Sequence, residues 1–252
     1  DLSRVDLSGM DLTGTILTGA DLSDATIDNV DLSGRDLTGT ILTGVDLSGM
    51  DLTGTILAGV DLSGKDFTGT ILTDANLTNA ILEYANLIDV NLDSVNLTNA
   101  NLKYALLVGA NLTNAILTEA DLSNAVLTNA ILTGANLDNA ILTGAILDCV
   151  SNPVCVPTGN ELSGKDLSNA NLAGIDLSGM DLTGTTLRGA DLSNANLVGI
   201  DLSGKDLTGT ILAGVDLSGM DLTGTKLVGA DLTGNDLTGT ILTNTNLTNA
   251  IL

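Results

Sequence analysis

The sequence predicts an all-β fold, a parallel β-helix in which short extended sides follow one another around a solenoid. A five-residue unit runs along the 252 residues without losing its frame. Leu, or occasionally Ile or Phe, holds the second place of every unit except the two units from Ser151 to Asn160. The fourth place is mostly Gly or Asn, which tolerate left-handed dihedrals, so each extended side ends in a corner. A period of five fits neither an amphipathic helix nor a two-sided strand.

The composition excludes an ordinary globular core. Apolar residues make up 44% of the chain, yet there is no Trp and a single Phe, Phe67. Aliphatic side chains must therefore form the core, and their packing must be very regular to be dense. The net charge of −23 disfavours nucleic acids and anionic membranes as direct partners. The sequence contains no run of 18 apolar residues, so insertion into a membrane is not expected.

A single coil cannot bury its own leucines, so the coils must stack and share hydrogen bonds along the axis. The pattern Ala-Asp/Asn-Leu-X-X, as in Ala20–Asp24 and Ala110–Asn114, resembles that of the pentapeptide-repeat family, and the resemblance extends along the chain. It implies a right-handed quadrilateral β-helix with four pentapeptides, or twenty residues, per coil. The periodicity alone predicts a solenoid but does not choose four sides over three. Twenty residues per coil give about 12–13 coils and a rod of about 60 Å.

The chain is interpreted as one solenoid, residues 1–252, with a second layer of repetition. An acidic block, residues 1–82, reappears largely unchanged as residues 171–252. Residues 83–150 form a different block, rich in Asn and Ile, which we interpret as neutral. The two copies are offset by 170 residues, or eight and a half coils. Equivalent residues are therefore expected on opposite faces of the rod.

Residues 151–160 interrupt the repeat and contain both prolines. Pro cannot donate to a backbone ladder, so the segment is expected to leave the rod as a surface loop and rejoin it in frame. Cys149 and Cys155 flank its first half and are either two free thiols or a disulfide that fixes the base of the loop. A disulfide implies an extracellular, cell-surface, periplasmic or lumenal location, whereas free thiols suit the cytoplasm.

The sequence shows no catalytic constellation, so an enzyme and a bound cofactor are not expected. It has no His for general-base chemistry, and no basic residue accompanies the cysteines in the loop. Aspartates stack instead in the twenty-residue register, where like charges one coil apart repel and favour cations. Ca²⁺ suits oxygen ligands, although rows of single carboxylates are a poor cage and diffuse counterions are the alternative. These columns are Asp11, Asp31 and Asp51, and Asp181, Asp201 and Asp221.

Isoleucine recurs at the first place of the unit, which should face outwards. A cluster in the middle block predicts an assembly surface; the alternative is that β-branched residues simply suit a sheet. The cluster consists of Ile116, Ile131, Ile141 and Ile146. The fifth place should point inwards, and we expect the cations found there to escape at a corner or to pair with Asp. These are Arg35, Lys65, Lys165 and Lys205.

Three functions follow as hypotheses. The first is a non-enzymatic structural protein that self-assembles end to end or laterally into a fibre or surface layer. It rests on the exposed isoleucines, the duplication, the candidate disulfide and the lack of a capping pattern at either end. A trimmed chain is the other explanation for the missing caps. The second follows from the family resemblance, because some members mimic DNA and bind gyrase; this chain, however, lacks their Phe-rich core. The third is a passive repeat domain of a larger secreted protein.

Overall fold

The computed structural model describes residues 1–147 and 162–252. Within these two ranges there is no helix and no strand longer than a single bridged residue. Parallel bridges join residues that lie twenty apart, as in the pairs Leu106–Val126 and Asn96–Ile116. Four pentapeptides therefore complete one coil, and the four-sided parallel β-helix with twenty residues per coil is confirmed.

Each coil has four faces, which we number by the first-place residues of its pentapeptides. Face 1 begins at Asp1, face 2 at Asp6, face 3 at Asp11 and face 4 at Ile16, and each takes every twentieth residue thereafter. Beyond residue 161, face 1 continues at Asp166, face 2 at Asn171, face 3 at Asp176 and face 4 at Asp181. The four faces therefore keep the same order around the rod on both sides of this segment.

One coil is longer than the others. Ile141 forms a bridge with Asp166, and Ile146 forms one with Asn171, so the partners are 25 residues apart and not twenty. The five-residue frame is kept across residues 148–161, but the four-sided register moves by one face. The expectation that the two acidic copies lie on opposite faces is therefore wrong: equivalent residues such as Asp11 and Asp181 lie on the neighbouring faces 3 and 4.

Every corner within the described residues is closed by the same turn. The fifth-place N–H donates to the second-place carbonyl oxygen of its own unit, as from Ala110 to Leu107 at 3.1 Å. The fourth-place residue adopts a left-handed conformation, with φ of 66° at Gly109 and 56° at Asn99. A Cβ atom makes this conformation costly for most residues, which explains why Gly and Asn predominate there.

The coils are joined by a backbone ladder that runs along the axis. Val126 N–H donates to the carbonyl oxygen of Ala105 at 2.9 Å, and Leu107 N–H donates to that of Val126 at 2.7 Å. At the corner, Gly109 N–H donates to the carbonyl oxygen of Thr128 at 2.9 Å. Neighbouring coils thus satisfy each other's backbone groups, as stacking without helices requires.

The core is a set of inner columns of second-place and fifth-place side chains. Leu112, Ala115 and Phe67 are all fully buried. Buried fifth-place threonines also point inwards. Some donate across the coil interface, as in the 3.0 Å bond from Thr55 Oγ1 to the carbonyl oxygen of Leu32, and others donate to their own turn, as Thr40 does to Leu37 at 2.8 Å. Because similar side chains stack one strand spacing apart, aliphatic residues fill the interior without aromatic rings.

The inward cations find different partners. Lys65 Nζ donates to the carbonyl oxygen of Val45 at 2.5 Å, and Lys205 Nζ donates to that of Leu182. The side chain thus reaches the preceding coil and satisfies a carbonyl group there. Partial burial lowers the pKa of the Lys65 ammonium group, against the smaller effect of a nearby aspartate.

The expected pairing with aspartate is found at Lys165. Its Nζ lies 3.9 Å from Asp138 Oδ1, although the residue is only 5% exposed, and burial lowers its pKa. Arg35 instead donates from its guanidinium group to Thr13 Oγ1 at 3.3 Å. The expectation of escape or ion pairing is therefore wrong for Lys65 and Lys205, because carbonyl groups of the preceding coil lie within their reach.

Candidate functional site

The aspartate columns lie at the two ends of the described rod. Asp11, Asp31 and Asp51 follow one another on face 3, and Asp181, Asp201 and Asp221 follow one another on face 4. Each carboxylate accepts a hydrogen bond from the backbone N–H two residues on, at 2.9 Å from Thr53 to Asp51 and from Thr223 to Asp221. The hydroxyl group and the N–H of that residue lower the pKa of Asp51 and Asp221, while the preceding aspartate of the column opposes this.

The backbone ladder is interrupted along both columns. No bridge joins Asp11 to Asp31 or Asp31 to Asp51, and the same two steps are missing from the second column. The fifth-place residues before these aspartates are larger than the Ala of the middle block, namely Met10, Val30, Met50, Met180, Ile200 and Met220. Stacked aspartates alone do not break the ladder, because Asp216 and Asp236 form a bridge, whereas large inward side chains oppose close approach of the coils. Equivalent open grooves result, beside Met50 in the first copy and Met220 in the second.

The columns do not form a cage for a cation. Within the described ranges, no group of three or more His, Cys, Asp or Glu side chains is arranged to hold a metal ion. The carboxylates stand in single file, and each is already bound to its own turn. Binding of Ca²⁺ to the columns stays a prediction.

The four isoleucines of the expected assembly surface do not lie together. Ile116 is on face 4, Ile131 on face 3, Ile141 on face 1 and Ile146 on face 2. Ile116 and Ile141 are 41% and 43% exposed, but they point away from different sides of the rod. The interpretation of these residues as one cluster is wrong, because neighbours in sequence occupy successive faces.

Cys149 and Cys155 lie outside the described residues. The disulfide and the location outside the cytoplasm that it implies therefore stay predictions. No helix within residues 1–147 and 162–252 is long and apolar enough to cross a bilayer.

Face 2 carries an apolar column that the sequence interpretation missed. Leu106, Val126 and Ile146 are its first-place residues in three consecutive coils. Leu106 is 39% exposed, and the other two are half-buried. Third-place Ile88 and Val108 widen the column on the same face. Among the described residues, no other face has three consecutive apolar first-place residues.

Two tyrosines border this column. Tyr84 and Tyr104 lie one coil apart at the corner between faces 1 and 2, with ring centroids 5.0 Å apart and an interplanar angle of 7°. They are 60% and 43% exposed. Both adopt left-handed conformations, with φ of 59° and 58°, which bulky residues rarely do. Twenty-residue spacings relate the three first-place residues to one another, the two third-place residues to each other and the two tyrosines to each other. These spacings have meaning only once the coil is known to have four sides.

The middle block is not neutral. Residues 83–150 contain seven Asp and Glu residues and one Lys, for a net charge of −6. The described charges of the block lie mainly away from face 2. On face 1, for example, Lys103 Nζ lies 3.0 Å from Asp121 Oδ2. On face 2 the described stretch from Asn86 to Leu147 has one charged residue, Asp89, at its corner with face 3. Face 3 of the block likewise has one described charged residue, Asp93, and the other described charges lie on faces 1 and 4.

Together these features define a repeat protein whose chemistry lies on the outer faces of a solenoid. The family model described as pentapeptide repeats matches the chain in eight copies, and the chain therefore belongs to this family. The matches cover residues 1–34, 36–69, 70–103, 105–144, 166–204, 190–227, 201–234 and 221–252. The fold is accordingly the right-handed quadrilateral β-helix, as expected from the resemblance. Proteins of this family are generally structural or binding proteins and not enzymes.

Solved structures of the same family are similar to the chain. HetL of the cyanobacterium Nostoc sp. strain PCC 7120, a protein involved in heterocyst differentiation regulation, is 30% identical over 100% of this chain and 91% of its own, with a TM-score of 0.29. Rfr23 of the cyanobacterium Cyanothece 51142 is 45% identical over 34% of this chain and 58% of its own, with a TM-score of 0.34. QnrB1, a plasmid-mediated fluoroquinolone resistance protein, is 22% identical over 82% and 90%, with a TM-score of 0.32. No curated protein sequence matches the chain.

Proposed function

We propose that this protein is a non-catalytic structural scaffold whose solenoid associates laterally with other copies through its outer faces. The observation that carries the proposal is the exposure of first-place apolar residues on a rod built for stacking. Ile41 on face 1 and Ile241 on face 4 are 49% and 48% exposed, and face 2 adds an apolar column. Exposed apolar area of this kind is typical of surfaces that bind protein.

The polar groups support a scaffold and give little support to catalysis. First-place aspartates such as Asp51 accept a hydrogen bond from the backbone N–H two residues on, and they therefore stabilise corners. The inward Lys65 binds a backbone carbonyl group within the rod. Neither group is poised to exchange a proton with a substrate.

Sedimentation velocity of the purified chain tests the proposal. We expect species larger than the 25.4 kDa monomer that increase with protein concentration, and filaments or paired rods in negative-stain micrographs. Isolated monomers at every concentration and salt level would contradict self-association. The same measurements with reductant and with chelator test the predicted disulfide and the predicted Ca²⁺ binding.

A DNA-mimicking binder of gyrase is the second candidate. The aspartate columns on faces 3 and 4 favour it, because they repeat carboxylates one coil apart at both ends of the rod. Inhibition of gyrase supercoiling by the chain, relieved by Asp31→Asn and Asp201→Asn, would support this function. Unchanged supercoiling at concentrations where the chain self-associates would reject it.

A further inference from the structure

We propose that the centre of face 2 is the surface through which two copies pair, with the rods antiparallel and related by a two-fold axis near Val126. The proposal rests on the lateral association proposed above and names the face and the partner. Face 2 combines three properties that no other described face combines: an apolar centre, polar residues on either side of that centre, and a near-symmetric order along the rod.

The order of residues along face 2 is close to palindromic. Leu106 and Ile146 lie one coil on either side of Val126, and Asn86 and Asn171 lie two coils on either side. A two-fold axis through Val126 places Leu106 of one copy against Ile146 of the other, and Asn86 against Asn171. Apolar groups then meet apolar groups and amides meet amides, so the surface is self-complementary as an isologous contact requires.

The corner between faces 1 and 2 obeys the same symmetry. The axis places Tyr104 opposite Gly144 of the second copy, and Tyr84 opposite Asn169. An exposed aromatic ring thus meets a residue without a side chain at one position and a short amide at the other. Tyrosine in a left-handed corner is strained, and most corners of the chain use Gly or Asn. Such strain is typical of residues kept for binding rather than for folding.

The size of the patch predicts how the pair responds to salt. The apolar centre covers four coils, each ~4.8 Å high, and a side of roughly 15 Å, which gives an area of about 300 Å². A stable dimer buries about 800 Å² per partner, so the flanking parts of face 2 must also meet. There the axis places Asp66 opposite Asp191, and like charges repel through solvent. Salt screens this repulsion, so we expect the pair to tighten as salt is added.

Sedimentation equilibrium of the full chain at several NaCl concentrations tests this surface. The test variants are Val126→Asn and the double variant Tyr84→Asn/Tyr104→Asn. The fold should be preserved, because Asn already occurs in the column of Val126, at Asn86, and in the column of the tyrosines, at Asn124. We expect each to weaken association about tenfold or more, because truncated anchors dominate interface energies. Ile116→Asn on face 4 is the matched control and should leave the dissociation constant within about threefold.

The outcomes separate the two proposals. A wild-type chain that stays monomeric would contradict self-association and this surface together, and would leave a different protein as the occupant of face 2. A wild-type chain that associates but responds equally to Val126→Asn and Ile116→Asn would overturn only the face-2 surface. Loss of association on adding salt would likewise overturn it.

Chemical cross-linking tests the antiparallel arrangement. A mixture of Leu106→Cys and Ile146→Cys chains, treated with a bis-maleimide of about 10 Å reach to match face-to-face sheet packing, should give mixed dimers. Wild-type chains treated in the same way control for the native cysteines. Cross-linking of Leu106→Cys chains mainly with one another would overturn the antiparallel pair.

Discussion

The hydroxyl group of Thr55 donates a hydrogen bond to the carbonyl oxygen of Leu32, one coil earlier in the stack, at 3.0 Å. Thr55 is fully buried, so the bond is made inside the rod. The equivalent bond in the second acidic copy joins Thr225 to Leu202 at 2.8 Å. Thr55 and Thr225 thus connect consecutive coils with a polar contact, at a fifth place where the middle block carries alanine or valine.

Thr55→Val tests this contact. The substitution keeps the shape of the side chain but removes the donor, and the carbonyl oxygen of Leu32 retains its bond from Arg35 N–H. We expect a loss of about 1 kcal/mol in the free energy of unfolding, measured by urea denaturation followed by circular dichroism. Thr225→Val should cost a similar amount, and the two losses should add because the sites are distant. Thr55→Ser keeps the donor; if it destabilises as much as valine, the hydrogen bond is not the cause.

Leu112→Ala tests the inner columns. Leu112 is fully buried, and the second-place leucines one coil away on each side prevent the cavity from collapsing. We expect a loss of about 2–5 kcal/mol in the free energy of unfolding. Thr118→Ala, a third-place substitution nearby, should change it by about 0.5 kcal/mol or less. Similar losses for both variants would contradict a core made of second-place leucines.

Asn99 tests the corner conformation. Its φ is 56°, a region that costs most L-residues roughly 1–2 kcal/mol and that Asn and Gly tolerate. We therefore expect Asn99→Ala to lower the midpoint of thermal unfolding, with a loss of about 1 kcal/mol. Asn99→Gly should lie within a few tenths of a kcal/mol of the wild type, because glycine removes strain but adds entropy to the unfolded chain. Equal stability of the alanine and glycine variants would contradict the prediction.

Ser63→Ala tests the pH dependence of a corner carboxylate. Ser63 Oγ donates to Asp61 Oδ1 at 2.6 Å, and this bond, with the Ser63 N–H, lowers the pKa of Asp61 below its usual value of 3.8. The unfolded chain then binds more protons in that range, so the stabilisation is present above pH 3.8 and is lost as the pH falls through the lowered pKa. The variant should lose less than about 1 kcal/mol at pH 7. The difference in the free energy of unfolding between the variant and the wild type should shrink towards pH 2. A difference that does not change with pH would contradict the predicted role of the Asp61 carboxylate.

The candidate surfaces show which residues a sequence can place. The column Asp11, Asp31 and Asp51 follows from the twenty-residue coil that the family resemblance implies. The grouping of Ile116 with Ile146 fails, because residues close in sequence turn away from one another at each corner. The surface around Leu106 and Tyr104 was not predicted for the converse reason, because the residues that neighbour them on the surface are twenty residues away in the chain.

The sequence by itself determined the pentapeptide frame, the inner leucine columns and the corners, because each depends on side chains within five residues of one another. The tertiary structure decided which residues share a face. That choice depends on the number of sides and on the length of every coil. The 25-residue step from Ile146 to Asn171 turns the whole second acidic copy by one face relative to the first. A change of five residues in one coil thus gives every later residue a new set of lateral neighbours, and no local pattern records it.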